Sequence, residues 1–263
     1  MPARLRDQHG PFRASDIVPG DRHELSNGNA IYCAPTGGAG ARGTGYGFEL
    51  IDSDPAVESA GIDAGFSPSE RTLRAPDVSV GVPDQHGWIK GAPPLAVEYA
   101  GTGQHEQGLQ DKIADLLEAG TRWVWVVRLV GPRRVEVYET GREPVTKVAG
   151  DLLVAPGVLQ NAVRAEALWD RQAAHEGTLR NLLQRSGYES IDAIREEGRE
   201  EGREEGREEG RAQAVLEVLA ARGLVPTDAE RDRILSSRDP VELSRWVKRS
   251  VKAATVDALF VID

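Results

Sequence analysis

The chain has 263 residues, 40% of them hydrophobic, and a formal net charge of −10 at pH 7. This length allows one domain of about 150–180 residues plus an appendage, and the hydrophobic content excludes a globally disordered chain. Residues 1–175 carry 17 basic and 23 acidic residues, and the remainder carry 15 and 19. Neither part is therefore the basic module that tight nonspecific nucleic-acid binding requires.

Cysteine usage and apolar runs indicate where the protein works. Cys33 is the one cysteine, so an intramolecular disulfide is excluded and a reducing compartment is favoured. The first ten residues, MPARLRDQHG, lack the apolar run of a secretory signal. The sequence also lacks the roughly 18 consecutive apolar residues that a membrane helix needs. We expect a cytoplasmic protein without a membrane partner.

The N-terminal part has weak patterns. Residues 1–22 are polar with scattered proline and glycine, which predicts a loose N-terminal arm. HELSNGNAIYCAP, residues 23–35, predicts two strands joined at Asn27-Gly28, a strong hairpin signal. Residues 36–47 contain six glycines, so this segment favours a flexible loop over a weak helix.

The central part has clearer periodicity. Valines alternate from Val78 to Val82, as in a strand. Residues 95–98 have the pattern of a strand, and residues 105–119 have that of a helix. Residues 123–130 and 135–139 have the pattern of a two-stranded hairpin. This order predicts an α/β (α+β) domain over residues 23–165, a mixed sheet flanked by helices.

A charged helical extension is predicted after this domain. Residues 166–194 read as connecting helices, and REEG then repeats four times from Arg195 to Gly210. Glu-to-Arg pairs three residues apart favour a helix, whereas each glycine costs about 1 kcal/mol relative to alanine. The segment 195–211 is therefore either a charged helix or a spacer.

Residues 212–263 predict a small helical region. AQAVLEVLAARG is amphipathic, and the next two helical patterns begin after the plausible N-caps Thr227 and Asp239. This region could mediate coiled-coil or bundle-like self-association, with Trp246 as its main apolar anchor. A homo-oligomer is therefore one partner that the sequence suggests.

Three polar residues stand at positions where catalysis would use them. Asp77 precedes the valine strand, Glu98 follows the apolar strand PPLAV, and Lys112 lies in the amphipathic helix. Two carboxylates at the ends of adjacent strands can share Mg²⁺ or Mn²⁺, because these ions prefer oxygen ligands. A nearby lysine can stabilise charge that develops on a phosphate. The combination suits phosphodiester hydrolysis.

The flanking sequence resembles the Uma-two family of restriction endonuclease-like proteins, in the PD-(D/E)XK nuclease superfamily. The resemblance covers roughly residues 20–165, and it rests on RAPDVSVG, PPLAVEYAG, a helix with a lysine, and AGTRWVWVV. It implies a restriction-endonuclease-like fold and a metal-dependent endonuclease acting on nucleic acid, with DNA as the expected substrate. It further implies that Asp77 and Glu98 are metal ligands and that Lys112 is the catalytic lysine. Glu24 would be an outer member of the site, and the backbone carbonyl of Tyr99 would complete the coordination.

Several supporting positions depart from the family pattern. Gly101-Thr102-Gly103 replaces a Ser-Pro-Ser stretch, Leu116 replaces a tyrosine, and Gly108 stands where an acid is expected. Losses of this kind commonly reduce metal affinity or rate ten- to a hundredfold. The alternative is therefore a catalytically impaired, nuclease-derived binding or assembly module that self-associates through its helical tail.

Overall fold

The computed structural model describes residues 10–101 and 105–261, and the chain divides into two compact units, Met1–Glu189 and Ser190–Asp263. The strands described in the first unit are β1 His23–Ser26, β2 Asn29–Tyr32, β3 Ala60–Ile62, β4 Phe66–Ser69, β5 Thr72–Arg74, β6 Val78–Val80, β7 Ile89–Lys90, β8 Leu95–Ala100, β9 Trp123–Arg128, β10 Arg134–Glu139, β11 Val145–Lys147, β12 Leu152–Leu153 and β13 Val163–Arg164. Its α-helices are α1 Gly38–Asp52, α2 Glu106–Glu118 and α3 Arg171–Arg185.

The main sheet of this unit has six strands in the order β11-β10-β9-β8-β6-β3. Strands β8 and β9 run parallel because α2 connects them, and the other neighbours in this sheet are antiparallel. The prediction of a mixed sheet flanked by helices is confirmed. The predicted hairpins at Asn27-Gly28 and between β9 and β10 are also present.

Side chains alternate between the two faces of the main sheet, and each face has its own core. On one face Ala96, Ala100, Val124 and Val126 pack against the apolar side of α2. On the other face lie the valines of β6 together with Trp125, which is fully buried. The two tryptophans of β9, Trp123 and Trp125, pack in this second core. Glu98 alternates onto the α2 face.

A second sheet lies beside the first, in the order β2-β1-β5-β4-β7. It carries a small apolar cluster built from Phe12, Ala14, Ile17, Leu25 and Leu73. Part of the segment predicted as a loose arm is therefore packed, because three apolar side chains at residues 12–17 are covered by this sheet. Residues 1–9 of that predicted arm lie outside the described residues.

The glycine-rich segment is helical, so the prediction of a loop over residues 36–47 is wrong. Helix α1 begins at Gly38 and packs closely on β8. A β-carbon on Gly43 would lie 2.6 Å from the Tyr99 ring, and one on Gly47 would overlap its hydroxyl group. Tertiary packing therefore overrides the low helix propensity of glycine, because larger side chains would not fit against Tyr99.

Residues 166–194, predicted as connecting helices, are helical in part. A short 3-10 helix spans Ala165–Leu168 and α3 follows it. The Asp170 side chain caps α3 by accepting a hydrogen bond from the backbone N–H of Ala173.

The second unit contains α4 Ile191–Ala221, α5 Asp228–Ser236 and α6 Pro240–Ser250. The REEG repeat is helical and continues without a break into the amphipathic segment, in a helix of 31 residues. Thr227 and Asp239 cap α5 and α6 as predicted. Trp246 is fully buried in the core of this unit. Over the described residues, no helix is long and apolar enough to cross a membrane.

Candidate functional site

The register of the main sheet places Asp77 beside Glu98. Val78 of β6 pairs with Val97 of β8 in an antiparallel ladder, so the next position along the ladder places Asp77 level with Glu98. The Asp77 carboxylate accepts a hydrogen bond of 2.6 Å from the backbone N–H of Tyr99. Asp77, directly before β6, therefore lies beside Glu98 of β8, although the two residues are 21 positions apart in sequence.

Lys112 reaches these carboxylates from α2. Its ammonium nitrogen lies 2.8 Å from Glu98 Oε1, 2.9 Å from Glu24 Oε1 and 2.8 Å from the carbonyl oxygen of Ala75. The contact with the Ala75 carbonyl is a hydrogen bond, and the contacts with Glu98 and Glu24 are ion pairs. Lys112 lies one position before Ile113, which packs on the sheet. This placement directs the lysine toward the end of β8.

Glu24 connects Lys112 to a second cation. Its Oε2 accepts a hydrogen bond of 3.0 Å from the Arg74 guanidinium, and its Oε1 accepts one of 3.2 Å from the Ala75 backbone N–H. The other side of the guanidinium binds Asp115 Oδ2, at 2.8 Å from Nε and 2.7 Å from the terminal nitrogen. Arg74 is 1% exposed and Glu24 is 6% exposed. The predicted outer member of the site is thus the centre of a buried ion-pair network.

Burial and charge shift the pKa values of these groups in different directions. Burial raises the pKa of Glu98 to about 8; Lys112 opposes this shift, and the negative charges of Asp77 and Glu24 add to it. Burial also raises the pKa of Asp77. In Glu24 the effect of burial is outweighed by Lys112 and Arg74, which hold its pKa below the ordinary value. Burial lowers the pKa of Lys112, but Glu24, Glu98 and Asp77 outweigh it and raise that pKa overall.

Tyr99 contributes its backbone to this region, while its side chain points away. The phenol ring lies on the opposite face of the sheet, against the glycines of α1. The N–H of Tyr99 is bound to Asp77. Tight packing of the ring therefore fixes the backbone between Glu98 and Ala100, where the predicted carbonyl ligand lies.

The part of the chain that contains this site matches a known protein family. A family model described as "Putative restriction endonuclease", Uma2, matches residues 12–167 of the chain. The chain belongs to this family. Its predicted resemblance to the Uma-two family is thereby confirmed, and all five predicted site residues lie inside the matched region. The match supports a nuclease-like function.

A solved structure supports the fold. The crystal structure of "a putative nuclease belonging to DUF820" from Anabaena variabilis ATCC 29413 matches with a TM-score of 0.53 and 18% sequence identity. The match covers 62% of this chain and 99% of that chain. The restriction-endonuclease-like fold class is confirmed. No curated protein matches the chain.

The site contains residues that sequence reasoning missed. Arg74 and Asp115 were not singled out, because an arginine two positions before a proline and an acid on a helix are ordinary surface residues in a sequence. Asp63 was also missed. Ile62 pairs with Val78, so Asp63 follows β3 at the level of Asp77, and the negative charge of Asp63 contributes to the raised pKa of Asp77. Strand pairing was the signal needed to find it.

The donor set at Asp77 and Glu98 fits a small divalent cation. The two carboxylates are hard oxygen donors, and in the buried network acidic groups outnumber Arg74 and Lys112. Lys112 offsets only part of the effect of burial on Glu98, whose pKa stays raised, and a bound cation can supply the further positive charge. In the part of the chain that the structure describes, no group of three or more His, Cys, Asp or Glu side chains could hold a metal ion. Two carboxylates with backbone and water ligands suffice for Mg²⁺, which keeps several waters.

Proposed function

We propose that the chain is a metal-dependent endonuclease that hydrolyses phosphodiester bonds in nucleic acid, with DNA as its substrate. The observation that carries the proposal is the buried ammonium of Lys112, 2.8 Å from Glu98, beside a second carboxylate, Asp77, that directly precedes the neighbouring strand. Membership of a restriction endonuclease family supports the same reading. A purely structural ion pair would not need Asp77 at the same level of the sheet.

Each residue has a distinct role in this proposal. Asp77, Glu98 and the Tyr99 carbonyl would hold Mg²⁺ or Mn²⁺. A bound ion of this kind polarises a phosphoryl oxygen and lowers the pKa of its water. Lys112 places a fixed positive charge where negative charge develops on the phosphate. A preorganised charge of this kind contributes most in a site that excludes water, as the buried surroundings of Lys112 do.

The acidic net charge constrains how the protein would meet DNA. A chain with a formal charge of −10 gains little from releasing the counterions of the DNA backbone, so its nonspecific affinity for DNA should be weak. Assays should therefore use low salt and protein in excess over substrate. Under these conditions weak binding does not hide the chemical step.

Plasmid nicking tests the proposal. Purified protein should nick supercoiled plasmid when Mg²⁺ or Mn²⁺ is added, and it should be inactive with a chelator. Asp77→Asn should abolish the nicking, since it removes one cation ligand but preserves the size of the side chain. The matched control is Asp84→Asn, which changes an exposed aspartate and should leave the rate unchanged.

Two results would contradict the proposal. Equal nicking by wild type and Asp77→Asn would show that the activity comes from a contaminant. An inactive wild type under all cation conditions would leave the family fold without the proposed activity.

A further inference from the structure

The ion pairs around Lys112 form a closed ring that begins and ends on α2. Lys112 contacts Glu24, Glu24 contacts Arg74, and Arg74 contacts Asp115, three residues after Lys112 on the same helix. Residues three apart lie on one face of a helix. The four side chains therefore tie α2 to β1 and β5 through alternating charges. The members beyond Glu24 lie outside the set proposed for catalysis.

Each contact in the ring restricts the next. Arg74 donates a hydrogen bond from Nε to Asp115 Oδ2 and another from Nη1 to Glu24 Oε2, and its Nη2 lies 2.7 Å from the same Asp115 oxygen as an ion-pair contact. Because the guanidinium is planar, this double contact sets the plane of the group and the direction of its bond to Glu24. Glu24 then presents its other oxygen to Lys112 at 2.9 Å. The side chain of Lys112, by contrast, has a flexible four-carbon stem, so its own geometry does not fix the position of the ammonium group.

Two of the three oxygens that lie within 3 Å of the Lys112 ammonium belong to groups other than the proposed cation ligands. Glu24 belongs to β1, and the Ala75 carbonyl belongs to the connection between β5 and β6. Both are held by the same ring, because Glu24 also accepts a hydrogen bond from the Ala75 backbone N–H. The ring can thus hold the ammonium in place when Glu98 binds another partner.

We propose that Arg74 and Asp115 are positioning residues, which act through Glu24 to fix the ammonium group of Lys112 beside Glu98. Neither residue contacts the proposed cation ligands, so their effect on nicking passes through Lys112. The inference rests on the proposed nuclease function for its kinetic test. A second measurement, on Lys112 itself, is independent of activity.

A double-mutant cycle provides the kinetic test. Asp115→Asn should lower the single-turnover nicking rate by about tenfold to a hundredfold without changing the apparent affinity for DNA. In a Lys112→Met background the same substitution should have no further effect, since the group that it positions is absent. Asp111→Asn, an exposed aspartate on the same helix, is the matched control and should change neither background.

Proton exchange at Lys112 tests the positioning without any turnover. The chain contains five lysines, so ¹⁵N-lysine labelling gives a simple NMR spectrum. The ammonium protons of Lys112 should exchange slowly with water in the wild type and at least about tenfold faster in Asp115→Asn, as expected when a supporting contact is lost. Asp111→Asn should exchange like the wild type.

Arg74→Lys guards against a folding artefact. It retains the positive charge but lacks the planar fork that holds both carboxylates, so it should accelerate Lys112 exchange while the far-ultraviolet circular dichroism stays native. Unchanged exchange in both folded variants would overturn the inference, whether or not the protein nicks DNA. An Asp115→Asn effect that persists in the Lys112→Met background would also overturn it, because it would show a general structural role. If the wild type does not nick DNA but the variants exchange their Lys112 protons faster, the proposed function is refuted and the positioning role of Arg74 and Asp115 stands.

Discussion

At the scale of single residues, neighbouring charges decide the direction in which the pKa of a buried carboxylate shifts. Glu24 and Glu98 are both almost fully buried, yet their pKa values move in opposite directions. Glu24 lies between two cations, whereas among the described residues Lys112 is the one cation that pairs with Glu98. Glu98 also experiences the negative charges of Asp77 and Glu24. The balance of neighbouring charges therefore separates a structural carboxylate from a candidate ligand.

A second ion-pair cluster makes a pH prediction that is independent of this site. Arg128 binds Glu106 through two hydrogen bonds, and these hydrogen bonds lower the pKa of Glu106 to about 2. An acid with a lowered folded pKa adds stability above its unfolded pKa, near 4.5, and the stability is lost as the pH falls through the folded value. Glu106→Gln should thus cost about 0.5 kcal/mol at pH 7, since the glutamate is largely exposed.

Thermal unfolding between pH 2 and pH 7 measures this contribution. The difference between wild type and Glu106→Gln should shrink as the pH falls from about 4.5 toward 2. Glu118→Gln, at an exposed glutamate near the other end of α2, is the control. A difference for Glu106→Gln that stays constant with pH would show that the two hydrogen bonds to Arg128 do not set its pKa.

At the scale of elements, several strands and the amphipathic helices were predictable, whereas α1 and seven other short strands were not; these strands are β3, β4, β5, β7, β11, β12 and β13. The alternation of β6 and the spacing of α2 are local patterns that survive folding unchanged. The helix at residues 38–52 depends instead on the Tyr99 ring, which is far away in sequence. The site follows the same division between local patterns and long-range contacts. Asp77, Glu98 and Lys112 were found from their flanking sequence. Strand pairing and helix packing, which the sequence does not display, bring in Arg74, Asp115 and Asp63.

Two glycines of α1 should respond in opposite ways to alanine. Gly47→Ala should destabilise the protein by about 1–3 kcal/mol, because its β-carbon would overlap the Tyr99 hydroxyl. Gly45→Ala should stabilise it by up to about 1 kcal/mol, because its β-carbon meets no atom within 4 Å and alanine favours a helix. Chemical denaturation of both variants measures the difference. Equal effects would mean that contact with Tyr99 does not require a glycine.

At the scale of the whole molecule, each compact unit has its own core. The first unit contains the matched family region and all the proposed site residues. A chain that ends at Glu189 should therefore nick plasmid at the same rate as the full chain. A large loss of nicking rate in a folded truncated protein would show that the second unit, Ser190–Asp263, contributes to the proposed activity.

The alternative function, self-association through the helical tail, depends on the second unit, Ser190–Asp263. A β-carbon on Gly202 or Gly206, two glycines of the repeat, would meet no atom within 4 Å. Packing within the chain therefore does not require glycine at these positions. If the unit mediates self-association, light scattering should find an oligomer for the full chain and a monomer for the chain that ends at Glu189. Monomers in both cases would contradict tail-driven assembly.

Calorimetric titration with Mn²⁺ tests the central claim most directly. Wild type should bind one ion, and both Asp77→Asn and Glu98→Gln should lose this binding, since each removes one of two carboxylate ligands. Asp84→Asn should bind like the wild type. Unchanged binding in the first two variants, or no binding by the wild type, would contradict a cation site at these carboxylates.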